Sequence, residues 1–459
     1  MYSSGLCRIA ITGLAIALSA GSANAQTLED ALVKAYQSNP TLKSERARLR
    51  ATDEGVPQAL AGWRPTVEVN GSYGLARSYG SATGRNKVTS IRDPLTGALT
   101  ITQNLYRGGR TLAATEQAES NVKADRARLA DAEQTVLLSV VTAYADVVRD
   151  QAEVELNISN ERVLQRQLEA TGDRFRVGEV TRTDVSQAES RLARARADRI
   201  VSEGSLRDAR AAYENAVGDV PPLLKPSKPL DNLPGSLSDA LEIAKQNNFA
   251  VSRARFIELS AKEGVRSIVG ELLPNLTLNG ELESSRETAN NRNESEEASL
   301  IARVTMPLYA SGSVTSRVRA AKQIVSQRRE EYNQALRTAI EATTNAWQTL
   351  QTGRAQIQAF SSAVKAAEIA LEGVREEANV GSRTVLDVLD AEQELLDARV
   401  GLVRAMRDEL VATYQLRQAV GEATAEKLGL PVTLYNVENH YREVRGKWWG
   451  LGASDGKRH

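Results

Sequence analysis

The longest regular pattern along the chain is a heptad-like spacing of apolar residues in two tracts without proline. The tracts run from about Thr111 to Gly172 and from Ser313 to Glu377. In the first, apolar positions recur at intervals of seven, three and four: Val122, Leu129, Val136, Val140, Ala143, Val147 and Val154. This spacing predicts long helices with coiled-coil seams. Some 60 helical residues would span roughly 90 Å, so each helix needs neighbours along its length.

A glycine break and a returning helix follow each tract. The breaks contain Gly178 and Gly381, where glycine permits the positive φ of a tight helical hairpin. The returning helices carry seams at Val185, Leu192, Leu206 and Tyr213, interrupted by Arg199, and at Val388, Leu395 and Leu402. A second seam on the later helix consists of Leu389, Leu396, Val403 and Leu410. Two adjacent seams predict contacts on two sides, as in a closed ring or sheet of helices.

Four shorter segments alternate apolar and polar residues with period two, which predicts strands. They lie at 67–75, 99–105, 276–282 and 298–306, and polar loops are expected from Ser78 to Pro94 and from Ser285 to Glu296. Each half of the chain would then have one long-looped hairpin. Four strands are too few to close a barrel, so lipid-exposed edges would need other chains. Three copies would supply about 12 strands, although a four-stranded sheet on a soluble helical protein is the alternative.

These elements recur in the same order, which indicates an internal duplication. We expect a first repeat at 26–220, a proline-rich linker at 221–235, a second repeat at 236–430 and a tail at 431–459. The expected fold class is α+β and mostly α. Residues 1–25 have the apolar run and the Ala23-Asn24-Ala25 site of a secretory signal peptide.

Charge and composition exclude several functions. Lysine and arginine number 58, as do aspartate and glutamate, which argues against a nucleic-acid partner. The only cysteine is Cys7, and the only histidines are His440 and His459. No catalytic triad, metal cluster or phosphate loop emerges, so we expect no enzyme activity, no cofactor and no structural metal. No later segment has the roughly 20 apolar residues of a membrane-spanning helix.

The duplicated landmarks resemble those of the TolC family of outer-membrane efflux and secretion proteins over roughly Gln26 to Pro431. The resemblance rests on Val380-Gly381-Ser382-Arg383-Thr384-Val385-Leu386-Asp387-Val388-Leu389-Asp390, on Val177-Gly178 with Thr183-Asp184-Val185, and on the junctions Leu105-Tyr106 and Leu308-Tyr309. It implies a homotrimer with a 12-stranded barrel in outer-membrane lipid and a helical barrel in the periplasm. Such a duct passively conducts drugs or secreted proteins. Its implied partners are a periplasmic adaptor and an inner-membrane RND or ABC transporter.

The resemblance also assigns roles to residues near the two glycine breaks. Asp387 and Asp390, three apart on one helix face, would form a ring of carboxylates that attracts cations and permits cation block. Crowding should raise some of their pKa values. Arg383 would form a latch with Thr183 and Asp184, and the tips at Gly178 and Gly381 would contact the adaptor.

Alternatives remain open for these residues and for the function of the chain. The acidic pair, taken alone, fits a solvated helix face. The family's latch has a tyrosine where this chain has Ala378. A soluble periplasmic coiled-coil adaptor or scaffold is the other function that the helical pattern allows. The repeats differ at these positions, because Asp390 corresponds to Gln187 and Arg383 to Val180.

Overall fold

The computed structural model describes residues 26–81, 87–289 and 292–452, so the predicted signal peptide and His459 lie outside the described residues. The helices are α1 (Leu28–Ser38), α2 (Pro40–Asp53), α3 (Gly55–Leu60), α4 (Arg110–Arg176), α5 (Arg182–Val217), α6 (Leu237–Asn247), α7 (Phe249–Val269), α8 (Ser313–Asn379), α9 (Val385–Ala419) and α10 (Asn439–Arg445). The strands are β1 (Thr66–Tyr73), β2 (Ala76–Ser81), β3 (Lys87–Arg92), β4 (Leu95–Arg107), β5 (Asn275–Arg286) and β6 (Glu294–Thr305).

The two predicted long helices are confirmed. Helices α4 and α8 each contain 67 residues, which corresponds to about 100 Å. Among the described residues, no helix is both long enough and apolar enough to cross a bilayer.

The helical segment that precedes the strands is divided in two in each repeat. Asn39 and Asn248 end the first helix and cap the second, and each side-chain oxygen accepts a backbone N–H, from Thr41 at 2.9 Å and from Ala250 at 3.0 Å. Pro40 adds to the break in the first repeat, because proline is favoured at the first position of a helix.

Four strands form one antiparallel sheet in the order β1-β4-β5-β6. The β4–β5 pairing joins the two repeats, and β1 and β6 are the open edges. A separate pair, β2–β3, extends the first hairpin. The prediction of a loop from Ser78 to Pro94 was therefore wrong. These strands carry few apolar residues, so hydrophobic alternation could not reveal them.

The register of the sheet separates an apolar face from a polar one. One row across the sheet consists of Val69, Leu99, Leu282 and Ala298, and the next row on the opposite face consists of Glu68, Thr100, Glu281 and Ser299. The apolar row is open to the surroundings, since Val69 is 78% exposed. The period-two prediction for these strands is confirmed.

Helices α4, α7, α8 and α9 pack side by side, and α9 is in contact on two sides as its two seams predicted. Leu389 joins a buried cluster with Leu164 of α4 and Leu192 of α5. Leu395 instead packs against Leu371 of α8. The apolar clusters therefore connect the helical hairpin α4–α5 to the hairpin α8–α9.

A close backbone approach fixes the junction between the strands and the helices. Gly108, between β4 and α4, has φ +61°, and a Cβ built there would lie 2.1 Å from the Gly270 carbonyl oxygen. Neighbouring Gly109 also has a positive φ, +76°, but a Cβ there would meet no described atom within 4 Å. Glycine is required at the first position by both conformation and space, and at the second by conformation alone.

Candidate functional site

Both long hairpins end in the same kind of turn. Gly178 and Gly381 each have φ +82°, and their N–H groups donate to the carbonyls of Phe175 and Ala378 at 3.0 and 3.1 Å. A Cβ at either glycine would meet no described atom within 4 Å, so conformation rather than space explains glycine here. Next to each glycine an apolar side chain, Val177 or Val380, is exposed. The two tips therefore present small apolar surfaces.

The returning helices start with identical capping boxes. The Oδ2 atom of Asp184 accepts from the Thr181 backbone N–H at 2.8 Å and from the Thr181 hydroxyl at 2.7 Å. Asp387 accepts from Thr384 at the same two distances. These bonds satisfy donors that the helix start would leave unpaired. Both aspartates thus have a structural role that sequence reasoning missed, although the spacing Thr-x-x-Asp was a visible signal.

The caps also set the charge of these carboxyl groups. The Thr384 hydroxyl and backbone N–H hold the pKa of Asp387 below its ordinary value, and Thr181 does the same for the pKa of Asp184. Crowding was expected to raise pKa values in this region. Within one chain the direction for Asp387 is the opposite, because its hydrogen bonds favour the ionised form.

Arg383 is engaged within its own hairpin. Its Nε donates to Glu377 Oε2 at 2.8 Å, and its Nη1 lies 3.9 Å from Asp387 Oδ1. The predicted pair of Arg383 with Asp184 is not formed within the described chain, and Thr183 is exposed. Glu377 was not anticipated from the sequence. A pairing of Arg383 with a second copy of the chain remains a prediction.

Asp390 connects the two hairpins. Its Oδ1 accepts from Nη2 of Arg191 on α5 at 2.5 Å, across a sequence separation of 199 residues. The pair lies beside the buried cluster that contains Leu192 and Leu389. Charge and apolar contact therefore act together near the tip. Arg191 was missed because no local pattern links it to Asp390.

Ala378, where the family has a tyrosine, lies half-buried in the last turn of α8. Its carbonyl accepts the Gly381 N–H, but its methyl group offers no hydrogen-bonding atom. The expected departure from the family's latch thus leaves this position without a side-chain donor.

Farther from the tips, a belt of charges joins α4 to α9. Glu153 accepts from Nε and Nη2 of Arg404 at 2.8 and 3.1 Å, and Asp146 accepts from Arg407 at 2.8 Å. Glu153 and Asp150 are almost fully buried, at 9% and 3% exposure. Buried carboxylates need such partners, so this belt holds the hairpins at a defined distance. Sequence reasoning did not single it out.

The residues near the tips interact through charges and hydrogen bonds. In the described part of the chain, no group of three or more His, Cys, Asp or Glu side chains is arranged to hold a metal ion. The arrangement can attract or repel ions and can join or release helices.

Two helical hairpins of this length, continuous with a small antiparallel sheet, are the architecture of solved outer membrane channels. The crystal structure of the Campylobacter jejuni CmeC outer membrane channel superposes with a TM-score of 0.79 at 15% identity, covering 91% of this chain and 89% of that one. This similarity shows the fold. The protein belongs to the outer membrane efflux protein family, whose model matches residues 31–219 and 240–422.

Two relatives are similar over most of their length. The outer membrane efflux protein BepC of Brucella suis biovar 1 is 34% identical over 96% of this chain and 95% of its own. The outer membrane protein TolC of Vibrio cholerae is 27% identical, with coverage of 86% and 91%. The resemblance to the TolC family and the mostly α fold class are confirmed. The protein is a channel component of an efflux or type I secretion system, located in the outer membrane and extending into the periplasm. The family transports rather than catalyses.

Proposed function

We propose that three copies of this chain form a continuous exit duct, with a 12-stranded barrel in the outer membrane and a helical tube in the periplasm. The observation that carries the proposal is the sheet, which has an exposed apolar face and two open edges next to helices of 67 residues. Lipid covers the apolar face, and pairing of β1 with β6 of the next copy satisfies both edges.

The outer flanks of the hairpins support the same assembly. Ile200 on α5 and Ile369 on α8 are exposed at 59% and 72%. The two hairpins contact each other through α4 and α9, so α5 and α8 are the outer helices of their hairpins. In a ring of three copies, α5 of one chain faces α8 of the next, which buries both side chains.

The periplasmic mouth of this duct is closed by the tips. Asp387 and Asp390 from three copies form a cation-attracting ring, and Arg383 with Thr183 and Asp184 forms a latch between neighbouring copies. The tips at Gly178 and Gly381, with their exposed valines, dock on a periplasmic adaptor. The energy comes from an inner-membrane transporter of the RND or ABC class, since channels of this family work with such partners.

Fractionation and electrophoresis test the assembly. We expect the protein in the outer membrane, running as a trimer when unheated in detergent and as a monomer after boiling. A soluble periplasmic pool of monomers would support the scaffold alternative and contradict the duct.

Planar bilayer recordings test the carboxylate ring. The double variant D387N/D390N should lose block by a trivalent cation such as hexaamminecobalt, because six carboxylates are removed from the mouth. Asp397, one heptad from Asp390 and also exposed, provides the control variant D397N, which should keep the block. Equal block in the double variant and in the native channel would refute the ring.

Cross-linking in membranes, followed by purification, tests the partners. Capture of an RND transporter indicates efflux of small molecules, and capture of an ABC transporter indicates secretion. Recovery of the channel without any adaptor, from cells that contain active pumps, would contradict the docking role of the tips.

A further inference from the structure

The tail, residues 431–452, runs past α1 and α2 toward the sheet. The Tyr435 N–H donates to the Tyr36 hydroxyl at 3.0 Å, His440 Nδ1 lies 3.1 Å from Asp53 Oδ2, and Arg64 Nη1 donates to the Lys447 carbonyl at 2.7 Å. The positions contacted on the first repeat ascend in the same order toward β1. The tail therefore ends at the junction between the helices and the strands.

The contacts of α10 fix the position of the tail. His440 and Val444 are buried, and the Arg126 guanidinium lies 5.3 Å from the centre of the Tyr441 ring. Arg445 donates to Glu119 on α4 at 3.0 Å. These bonds lie on both α2 and α4, so the last described residues are held at one level of the molecule.

Beyond α10, the tail exposes its largest apolar side chains. Trp448 is 66% exposed, Trp449 is 90% exposed and Leu451 is fully exposed. Trp63, just before β1, is also exposed and shares with Trp448 a groove of about 530 Å³. Such a group of large apolar surfaces on an ordered segment indicates a partner.

The same site is basic. Arg64 lies 5.1 Å from the centre of the Trp448 ring, and the Lys447 ammonium donates to the Gly452 carbonyl at 2.7 Å. Neither cation forms an ion pair with a carboxylate in the described ranges. Both are therefore available to a phosphate group. Tryptophan next to arginine and lysine is the composition that concentrates where hydrocarbon meets lipid headgroups.

The position of the site relative to the sheet also fits an interface between hydrocarbon and lipid headgroups. Arg64 lies two residues before β1, whose apolar face begins at Val67, and Tyr73 ends that face with 71% exposure. The nine steps from one residue to the next between Arg64 and Tyr73 span about 30 Å along a strand, or about 23 Å along the membrane normal at a tilt of 40°. This matches the roughly 25 Å apolar band that aromatic girdles border in membrane barrels.

We propose that Lys447–Gly452 is an interfacial anchor that binds the periplasmic leaflet of the outer membrane. Trp448 and Trp449 enter the headgroup region, while Arg64 and Lys447 bind the phosphates of anionic phospholipids. The inference rests on the proposed insertion of the sheet in the membrane and adds a lipid-binding role for the tail.

Fluorescence quenching by lipid in proteoliposomes tests the anchor. The chain has four tryptophans, and the variant W63F/W347F keeps only those of the tail. The full-length trimer is reconstituted in phosphatidylethanolamine and phosphatidylglycerol whose acyl chains carry bromine near the headgroup. We expect at least about a twofold loss of emission. The control W63F/W448F/W449F keeps only Trp347, on α8 against a buried cluster, and should not be quenched.

A strand reporter separates this inference from the proposed function. Leu300 on β6 is 74% exposed, and L300W in the control background should be quenched wherever the sheet is in lipid. Quenching of L300W without quenching of the tail overturns the anchor and leaves the duct intact. If neither L300W nor the tail tryptophans are quenched, both the anchor and the duct are wrong.

A second variant covers the case in which W63F/W347F does not assemble. W448F/W449F in the otherwise native chain keeps Trp63 and should therefore show less lipid quenching than the native protein, but not none. Should it instead keep that quenching but lower the temperature at which the trimer dissociates, the tail binds a neighbouring copy and the anchor is wrong.

Discussion

The link between Arg191 and Asp390 should hold the two hairpins together at the closed tip. We consider the variant R191A, which removes the guanidinium but leaves the helix and the adjacent apolar cluster in place. Because the bond crosses from α5 to α9, any outward movement of one hairpin relative to the other must break it. We therefore expect R191A to open the channel more often.

The size of the effect follows from the exposure of the pair. The two side chains are 31% and 56% exposed, so the surface value of about 0.2–1 kcal/mol per pair applies. Three pairs that break together in a trimer give about 0.6–3 kcal/mol. The ratio of open to closed channels should then rise by about 3- to 150-fold, since 1.4 kcal/mol is a factor of ten.

Single-channel recording in planar bilayers measures this ratio. Arg194 provides the matched control, because it is on the same helix but lies near Asp198 of its own helix at 3.9 Å. R194A removes the same charge and should leave gating unchanged. The exchange R191D/D390R should restore the native ratio. Equal opening by R191A and R194A, or no recovery in the exchange, would refute the reasoning.

Three further predictions concern the framework around the tip. In a double-mutant cycle with E153Q and R404A, we expect a coupling energy of about 1 kcal/mol, because the 62% exposure of the arginine side chain weakens the ion pair. Urea unfolding measures this coupling energy, and a value near zero would contradict the role of the charge belt. G109A should lower the free energy of unfolding by about 1 kcal/mol, because an alanine is strained at a positive φ. G108A should lower it by about 1–3 kcal/mol more, because the added Cβ is overpacked against the backbone of Gly270. Thermal unfolding measures both losses, and equal losses would contradict the close approach of Gly108 to Gly270. T384A should raise the pKa of the aspartate it caps. Because the pKa of Asp387 is lower in the folded protein, its carboxylate stabilises the tip at pH values above its unfolded pKa, near 4, and this stabilisation is lost as the pH falls through the folded pKa. Protection of tip amides from hydrogen exchange should therefore fall in acid in the native chain, and should depend less on acid pH in the variant.

Periodicity was sufficient to predict the long helices. The tract from Thr111 to Gly172 lies within α4, which starts at Arg110 and ends at Arg176. A seam that repeats from Val122 to Val154 is a strong signal because each repeat adds evidence for the same period. Strands of the sheet were visible for a similar reason, since apolar residues alternate along one face in the rows of Val67 and Val69. Strands β2 and β3 were not visible, because backbone pairing beyond the apolar face leaves no hydrophobic pattern.

The tip illustrates the opposite case. Asp387 was interpreted as a gate charge and Asp184 as part of the latch, but in one chain each is held by a cap threonine three residues earlier. That local pattern could have been recognised from the sequence. The Arg191–Asp390 bond could not be recognised in this way, because the two residues are 199 positions apart and meet only through the packing of α5 against α9. Sequence locates the charged residues here, whereas only the packing assigns their partners.

The duplication explains why such a bond exists in this channel. The two repeats start their returning helices with the same cap, so equivalent positions on α5 and α9 occupy equivalent places in the two hairpins. Arg191 is equivalent to Glu394, and Asp390 to Gln187. Two copies of the first repeat would place arginine beside glutamine at this contact, and two copies of the second would place glutamate beside aspartate. Divergence to opposite charges converts this contact into an attraction. The link between the two hairpins thus depends on positions at which the two repeats differ.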